Sequence, residues 1–188
     1  MEEGIPVIIE VYTKLYKAIT AMPEISYQPI GIVHSPFVTP VGTPIQPAAA
    51  RDTEAVIEIF PEYEAGLQDL NGFSHIFVLF HMHLVKGRPL TVIPFLDTEP
   101  HGVFATRSPA RPNPIGLSVV VLDKIVGNKL YVKDIDILEG SPVLDIKPYI
   151  EEVDVFETYK NGWFGNNIHK MDKQKDDGRF TASNNDFI

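Results

Sequence analysis

Short runs of apolar and β-branched residues, broken by prolines and glycines, fill the chain from residue 27 to about residue 150. Such runs are typical of β-strands with irregular connections, because β-branched and aromatic side chains suit a pleated surface that Pro and Gly interrupt. One short helix fits residues 63–70, ending at Gly72 in a left-handed cap. The pattern therefore predicts a mainly β fold, a barrel or a sandwich, with seven strands: Ile30–Ser35, Ala55–Phe60, His75–Leu84, Gly102–Thr106, Leu117–Val126, Lys129–Ile137 and Val143–Ile146.

The two ends of the chain have a different pattern of apolar and polar residues from residues 27–150. Near the N-terminus, apolar residues recur at three- and four-residue spacing, which predicts a short amphipathic helix over residues 5–19. After Trp163 and Phe164 the chain is polar, and we expect a loosely held tail. The predicted organisation is a helical appendage (1–26), one β domain (27–150) and a C-terminal extension or tail (151–188).

Composition narrows the possible functions. The 188 residues suit one domain with a sizeable core, and the absence of cysteine excludes disulfides, zinc–thiolate sites and thiol nucleophiles. Sixteen basic and 25 acidic residues give a net charge of −9, which argues against long-range attraction to nucleic acid, DNA included, or to an anionic membrane. No long apolar run predicts a membrane helix, and the acidic start does not fit a signal peptide, so we expect a cytoplasmic protein.

The segment from Gly102 to Ser118 is the strongest candidate for a binding site. Its prolines constrain the backbone, so Arg107, Arg111 and Asn113 would lose little conformational entropy when they bind a ligand. Arginines of a surface loop also often pair with nearby carboxylates and bind nothing specific. The density of rigid elements favours a preformed site for an anionic or polar ligand.

Asp145, Lys147 and Tyr149 stand at two-residue spacing and share one face of an extended chain. Such a row could move protons or bind a polar substrate, with Lys147 raising the acidity of Tyr149. The spacing alone favours the solvated face of an edge strand.

His81 and His83 also share one face of a predicted strand, which is a familiar pattern in metal sites. No carboxylate follows at the expected distance, and Arg88 stands near that place. We therefore predict no metal. The chain also lacks the glycine-rich motifs of dinucleotide-binding and P-loop proteins.

Taken together, Ile30 to Pro36, Phe73-Ser74-His75, the Gly102–Ser118 segment and the Asp145–Tyr149 row resemble the TsaA-like family of tRNA methyltransferases. The resemblance implies a β-barrel, unlike the Rossmann methyltransferases, that binds S-adenosylmethionine near a homodimer interface. It also implies methylation of the exocyclic amine of N6-threonylcarbamoyladenosine beside the tRNA anticodon. Asp145, Lys147 and Tyr149 become the candidate catalytic residues, and Arg111 and Asn113 the candidate substrate-binding residues.

The resemblance also carries cofactor contacts onto particular positions. They fall on Pro44, Ile45, Gln46, His83, Leu84, Arg107, Leu117, Glu139, Gly140, Ser141 and Pro142. Ile45 stands where the family pattern usually has arginine, and Leu84 where bacterial members often have a polar residue. Two alternatives therefore remain: a non-catalytic S-adenosylmethionine-binding module and a methyltransferase that acts on a different small substrate.

Overall fold

The computed structural model describes residues 12, 14, 16, 24–171 and 173–181. Six strands form a closed barrel in the order β1-β2-β7-β6-β3-β8, and β4 and β5 form a separate two-stranded sheet. Every pairing between neighbouring strands is antiparallel. The strands are β1 (Gly31–His34), β2 (Ala55–Ile59), β3 (His75–His81), β4 (Thr91–Val92), β5 (His101–Gly102), β6 (Ile115–Val126), β7 (Lys129–Lys133) and β8 (Pro142–Pro148).

Strict alternation of side chains builds the barrel core. In β3, Ile76, Val78 and Phe80 point inward, while the residues between them are only partly buried. The neighbouring strands contribute in the same way, because successive side chains of a strand point to opposite faces. The remaining core is apolar and fully enclosed, and includes Val33, Ile57, Ile59, Val120, Leu130, Val132, Ile135, Ile137 and Val143.

A residue with a positive φ angle lies on each side of β7. Gly127 has φ 57° in the two-residue turn between β6 and β7, which confirms the tight turn that the sequence predicts at Gly127-Asn128. Asp134 has φ 61° and ends β7. The predicted strand Lys129–Ile137 is therefore too long, and residues 134–141 form an irregular connection to β8.

Two further predictions are wrong in detail. The strand predicted over Gly102–Thr106 is instead the end of β5 followed by a 3₁₀ turn at Val103–Ala105, so Val103 and Phe104, which both favour strands, fold into a turn. The helix predicted over residues 63–70 consists of two 3₁₀ segments, Pro61–Leu67 and Leu70–Gly72. The left-handed residue between them is Asp69, with φ 65°, and not Gly72.

Parts of the C-terminal segment between residues 163 and 181 pack on the barrel domain, so the prediction of a loosely held tail is wrong for these parts, whereas residues 157–162 are exposed. The segment contains two short α-helices, α1 (Glu151–Asp154) and α2 (Phe164–Asn167), and a 3₁₀ turn follows at Ile168–Lys170. Phe180 is 1 % exposed and lies edge-on to Phe95, with 5.1 Å between ring centroids. A few aromatic anchors thus hold a polar segment.

The helix predicted over residues 5–19 lies outside the described residues, apart from Tyr12, Lys14 and Tyr16, which are helical. In the part of the chain that the structure describes, no helix has the length and apolar character needed to cross a membrane.

Candidate functional site

A cleft of about 360 Å³ opens where the end of β3 meets the start of β6. Its volume lies within the usual range for small-molecule sites, roughly 300–1,000 Å³. The walls come from separate parts of the chain: the loop before the first 3₁₀ turn, residues 94–96, the 107–111 loop, residues 115–118, the C-terminal segment, four residues at and after the end of β3 (Phe80, Met82, Leu84 and Val85), and two residues of the β7–β8 connection (Asp136 and Leu138). Barrel closure is what brings these segments together.

Arg107 joins two of these walls. Its Nη1 donates a hydrogen bond of 2.8 Å to Oε1 of Gln46, which lies 61 residues earlier in the chain. Arg111 also lines the cleft, whereas Asn113 is exposed and is not among the lining residues. The proline-rich loop therefore brings both predicted arginines to one cleft, and it leaves the asparagine outside.

The predicted cofactor residues divide into two groups. Six of them line the cleft: Pro44, Ile45, Gln46, Leu84, Arg107 and Leu117. The other five, His83, Glu139, Gly140, Ser141 and Pro142, are not among its lining residues.

The second group forms its own polar network next to β1. Oγ of Ser141 and Nδ1 of His83 lie 3.3 Å apart, and Oε2 of Glu139 accepts a 2.6 Å hydrogen bond from the backbone N–H of Ser35. Gly140 has φ 74°, a conformation in which glycine avoids the strain of a side chain. Burial, followed by the charge of neighbouring His81, lowers the pKa of His83, which favours its neutral imidazole.

The candidate catalytic row stands apart from the cleft. Lys147 Nζ forms an ion pair with Asp145 Oδ2 at 2.7 Å, and the Tyr149 ring contacts Phe77 with 5.4 Å between centroids. None of the three lines the cleft, and Asp145 instead lines a separate depression beside Ile30 and Ile146. The described residues of one chain thus keep the row together and separate it from the cofactor-binding candidates.

Sequence reasoning missed the polar groups at the floor of the cleft. Ser118 Oγ donates a 2.6 Å hydrogen bond to Oδ1 of Asp136. Burial raises the pKa of Asp136 to about 6, although the Ser118 hydrogen bond and the charge of Arg107 oppose this rise. Asp136 stands between two buried isoleucines, and nothing in that local pattern indicates that a serine 18 residues away faces it.

Ser108 is a second polar residue that the sequence did not single out. It is 5 % exposed and lines the cleft. Among the described residues, its Oγ is the buried side-chain polar atom that has no hydrogen-bond partner within the protein. A buried hydroxyl without a partner is destabilising, so a ligand that accepts or donates a hydrogen bond there would gain affinity.

The C-terminal segment supplies a wall that the sequence analysis did not foresee. Trp163, Phe164, Asp176 and Phe180 line the cleft. Trp163 stacks on His101 at 4.6 Å and its Nε1 donates to the carbonyl oxygen of Ala105. Backbone hydrogen bonds between Gly42, Thr43 and Asp176 tie the same segment to the opposite loop.

The histidines are not gathered into a metal centre. Within the described ranges, no group of three or more histidine, aspartate and glutamate side chains is placed to hold a metal ion.

The fold and the cleft define a class: a small-molecule-binding β-barrel that presents arginine, carboxylate and hydroxyl groups inside a mostly apolar site. The chain belongs to the family of the tRNA-methyltransferase O N-terminal domain, whose model matches residues 32–155. A probable S-adenosyl-L-methionine-binding protein from Pyrococcus abyssi is 53 % identical over 87 % of this chain and 89 % of its own length.

Two more relatives extend the comparison. The tRNA (adenine(37)-N6)-methyltransferase of Mus musculus is 40 % identical over 77 % of this chain, which spans 34 % of that protein. The crystal structure of TrmO from Pseudomonas aeruginosa has a TM-score of 0.63 and 35 % identity, and the match covers 75 % of this chain and 63 % of that one. These matches confirm the resemblance and the β-barrel fold.

Proposed function

We propose that this protein transfers a methyl group from S-adenosylmethionine to the exocyclic N6 of a modified adenine next to the tRNA anticodon. The observation that carries the proposal is the cleft, in which six residues expected to contact the cofactor meet from separate loops. The family match and the names of the mouse and archaeal relatives agree with it. N6-threonylcarbamoyladenosine is the specific nucleoside that we propose as substrate.

The cleft fits this cofactor by its chemistry. S-adenosylmethionine carries an anionic carboxylate, two cationic groups and a flat adenine, and when bound it supplies an electrophilic methyl group. Arg107 would hold the carboxylate, and the apolar side chains of Ile45, Leu84 and Leu117 would hold the adenosine. The unpartnered hydroxyl of Ser108 would gain a partner on the ligand.

Positioning is the main task that the chain performs. The lone pair of an adenine amine is delocalised into the ring, so the nitrogen must be held in line with the methyl carbon at near-contact distance. Lys147 would bind the carboxylate of the threonylcarbamoyl group. Asp145, Tyr149 or water would accept the proton that the methylated nitrogen loses.

A homodimer would place these groups together. The Asp145–Lys147 pair does not line the cleft of its own chain, and Lys147 is largely exposed. Leu117 and Ile115 line the cleft and are also exposed to solvent, at 59 % and 38 %. We propose that a second copy covers this apolar rim and brings its own catalytic row towards the substrate. Light scattering with Leu117→Asp tests this: a dimeric wild type and a monomeric variant support it, and a monomeric wild type contradicts it.

The acidic net charge requires local recognition of tRNA. Arg107 and Arg111 lie on one loop, and a dimer would present two such loops to one RNA. This arrangement concentrates positive potential without making the protein basic overall.

Mass spectrometry of nucleosides tests the proposed reaction. The protein is incubated with S-adenosylmethionine and tRNA that carries threonylcarbamoyladenosine, and the tRNA is then digested. We expect a gain of one methyl on that nucleoside, lost with Arg107→Ala or Tyr149→Phe. Arg51→Ala and Tyr159→Phe are the matched controls, because Arg51 and Tyr159 are exposed and lie outside the cleft.

A second candidate is a protein that binds S-adenosylmethionine without transferring its methyl group. Ile45 favours it, because an apolar side chain lines the cleft where the family pattern usually has a guanidinium. Cofactor binding by calorimetry without methyl gain on any tRNA nucleoside would support this candidate.

A further inference from the structure

Asp136 occupies a position that the proposed chemistry has not used. It lies in the connection after β7, between Ile135 and Ile137, which are completely buried in the barrel core. Asp136 itself lines the cleft. A carboxyl group is thus held by two apolar anchors at the floor of the candidate cofactor site.

The protein offers this carboxyl group a short hydrogen bond from Ser118, a hydrogen bond from its own backbone N–H and one nearby positive charge. Ser118 Oγ donates to Oδ1 at 2.6 Å, and Ser118 itself is 3 % exposed, so this donor is fixed in place. The charge of Arg107 favours the ionised form, but Arg107 is exposed and also donates to Gln46. Burial outweighs these three effects and raises the pKa of Asp136 to about 6.

The other charged groups of the cleft are Arg107, Arg111 and Asp176. Oδ1 of Asp176 accepts a 2.6 Å hydrogen bond from the backbone N–H of Gly178, and burial raises the pKa of this carboxyl group as well. Asp176 belongs to the C-terminal wall, whereas Asp136 belongs to the barrel floor. The described cleft therefore presents two arginines and two carboxyl groups, a combination that suits a ligand with charges of both signs.

We propose that Asp136 binds a positively charged group of S-adenosylmethionine while an arginine of the cleft holds the carboxylate of the same molecule. The inference rests on the proposed function. A buried carboxylate is costly unless it is paired, and a cation from the ligand supplies a pairing that the protein itself offers only in part. The ligand has two such groups, its α-ammonium and its sulfonium.

Calorimetric titrations with three ligands separate these two sources. S-adenosylmethionine has both cations, S-adenosylhomocysteine has only the ammonium, and 5′-methylthioadenosine has neither. We expect Asp136→Asn to weaken binding of S-adenosylmethionine by roughly 10- to 100-fold, as for loss of a charged hydrogen bond. Asp123→Asn is the matched control, because Asp123 pairs with Lys133 on the surface and lies outside the cleft.

The pattern across ligands decides the assignment. If S-adenosylhomocysteine is weakened as well and 5′-methylthioadenosine is not, Asp136 binds the ammonium. If only S-adenosylmethionine is weakened, Asp136 binds the sulfonium. Equal losses for all three ligands, or no loss for any, would overturn the inference.

The pH dependence of S-adenosylmethionine binding by the wild-type protein gives a second test, which needs no substitution. A bound cation favours the ionised carboxylate, so the affinity for S-adenosylmethionine should be constant above the pKa and fall below it. With a pKa of about 6, the affinity at pH 5 should be roughly tenfold lower than at pH 7. Asp136→Asn should bind equally at both pH values.

Two further variants identify the titrating group. Ser118→Ala removes a hydrogen bond that lowers the pKa of Asp136, so the midpoint of the binding curve should move to higher pH. Asp176→Asn should keep the wild-type midpoint. A pH dependence that survives in Asp136→Asn but disappears in Asp176→Asn would overturn the inference.

Failure of this inference is distinguishable from failure of the proposed function. If the wild type binds none of the three ligands, the proposed function is wrong and the inference falls with it. If the wild type binds them and Asp136→Asn binds them identically, only the role of Asp136 is wrong. Should Asp136→Asn fail to fold, the wild-type pH profile and the Ser118→Ala shift still decide the question.

Discussion

Gly116 leaves the space in which the ring of Phe80 rests, and filling that space should destabilise the barrel at the cleft. Gly116 on β6 is the Cα partner of Phe80 on β3, and both residues line the cleft. A Cβ built on Gly116 would meet Cζ of Phe80 and would stand 2.5 Å from its Cε1. Gly116→Ala therefore requires the buried ring or one of the two strands to move.

The expected cost follows from the packing. Phe80 is 8 % exposed and belongs to the barrel core, so its ring has little room to withdraw. Forcing an extra carbon into a packed core typically costs about 1–3 kcal/mol. For a protein of this size, each kcal/mol lowers Tm by roughly 2–4 °C, which gives an expected fall of about 2–12 °C. A displaced ring should also weaken cofactor binding.

Differential scanning calorimetry measures the effect, with Gly102→Ala as the control. Gly102 has a negative φ, and a Cβ built there meets no atom within 4 Å, so its Tm should change little. Phe80→Leu provides a second test, because removing the ring should relieve most of the penalty of Gly116→Ala. Equal Tm values for the two alanine variants, or an unchanged penalty in the Phe80→Leu background, would refute the reasoning.

Three further substitutions test other parts of the structure. Phe180→Ala empties a site that is 1 % exposed and should cost about 3–5 kcal/mol in the C-terminal segment, seen as faster limited proteolysis there. Unchanged cleavage would contradict its anchoring role. Arg111→Ala should weaken tRNA binding and reduce its salt dependence by about one counterion, and Arg51→Ala should change neither. The raised pKa of Asp136 stabilises the fold at low pH, and this contribution disappears as the pH rises from about 4 to 6. Asp136→Asn should lose this pH dependence and unfold at higher urea concentration than the wild type at pH 7.5, and a less stable variant would contradict the argument.

The alternation of apolar and polar residues predicted most of the barrel because each long strand has one face in the core. Strand β3 shows this directly, with every second residue buried. The same rule does not predict β4, which is only two residues long. It also fails at Val103–Ala105, where a β-branched and an aromatic residue form a 3₁₀ turn. Such short elements depend on tertiary packing and not on local preference.

The C-terminal segment shows why composition misleads when a few residues carry the packing. Its polar majority predicted a loose tail, yet Trp163 and Phe180 are anchored to aromatic partners on the barrel domain. The partners, His101 and Phe95, lie 62 and 85 residues earlier in the chain. Sequence patterns over short windows do not register contacts at such separations.

The residues of the candidate site also differ in whether a local sequence pattern indicated them. The proline-fixed loop indicated Arg107 and Arg111 because rigid backbone next to charged residues is a local signal. Asp136 and Ser118 had no such signal, since Asp136 stands between two isoleucines, Ser118 stands among apolar residues, and only the fold brings them within 2.6 Å. Residues that have no local sequence signal can therefore line a cleft that distant segments of the chain form together.

The polar groups that line the cleft affect both the stability of the fold and the affinity for a ligand. Ser108 has no protein partner for its hydroxyl, and Asp136 has a carboxyl group whose ionisation is opposed by burial. Both features lower the stability of the folded protein, and both are set next to an apolar core large enough to offset the cost. A ligand that satisfies them gains affinity from groups already held in position, because their ordering cost was met when the chain folded. The residues that weaken the fold at neutral pH are therefore the ones that would select a ligand with a cation and a hydrogen-bonding group.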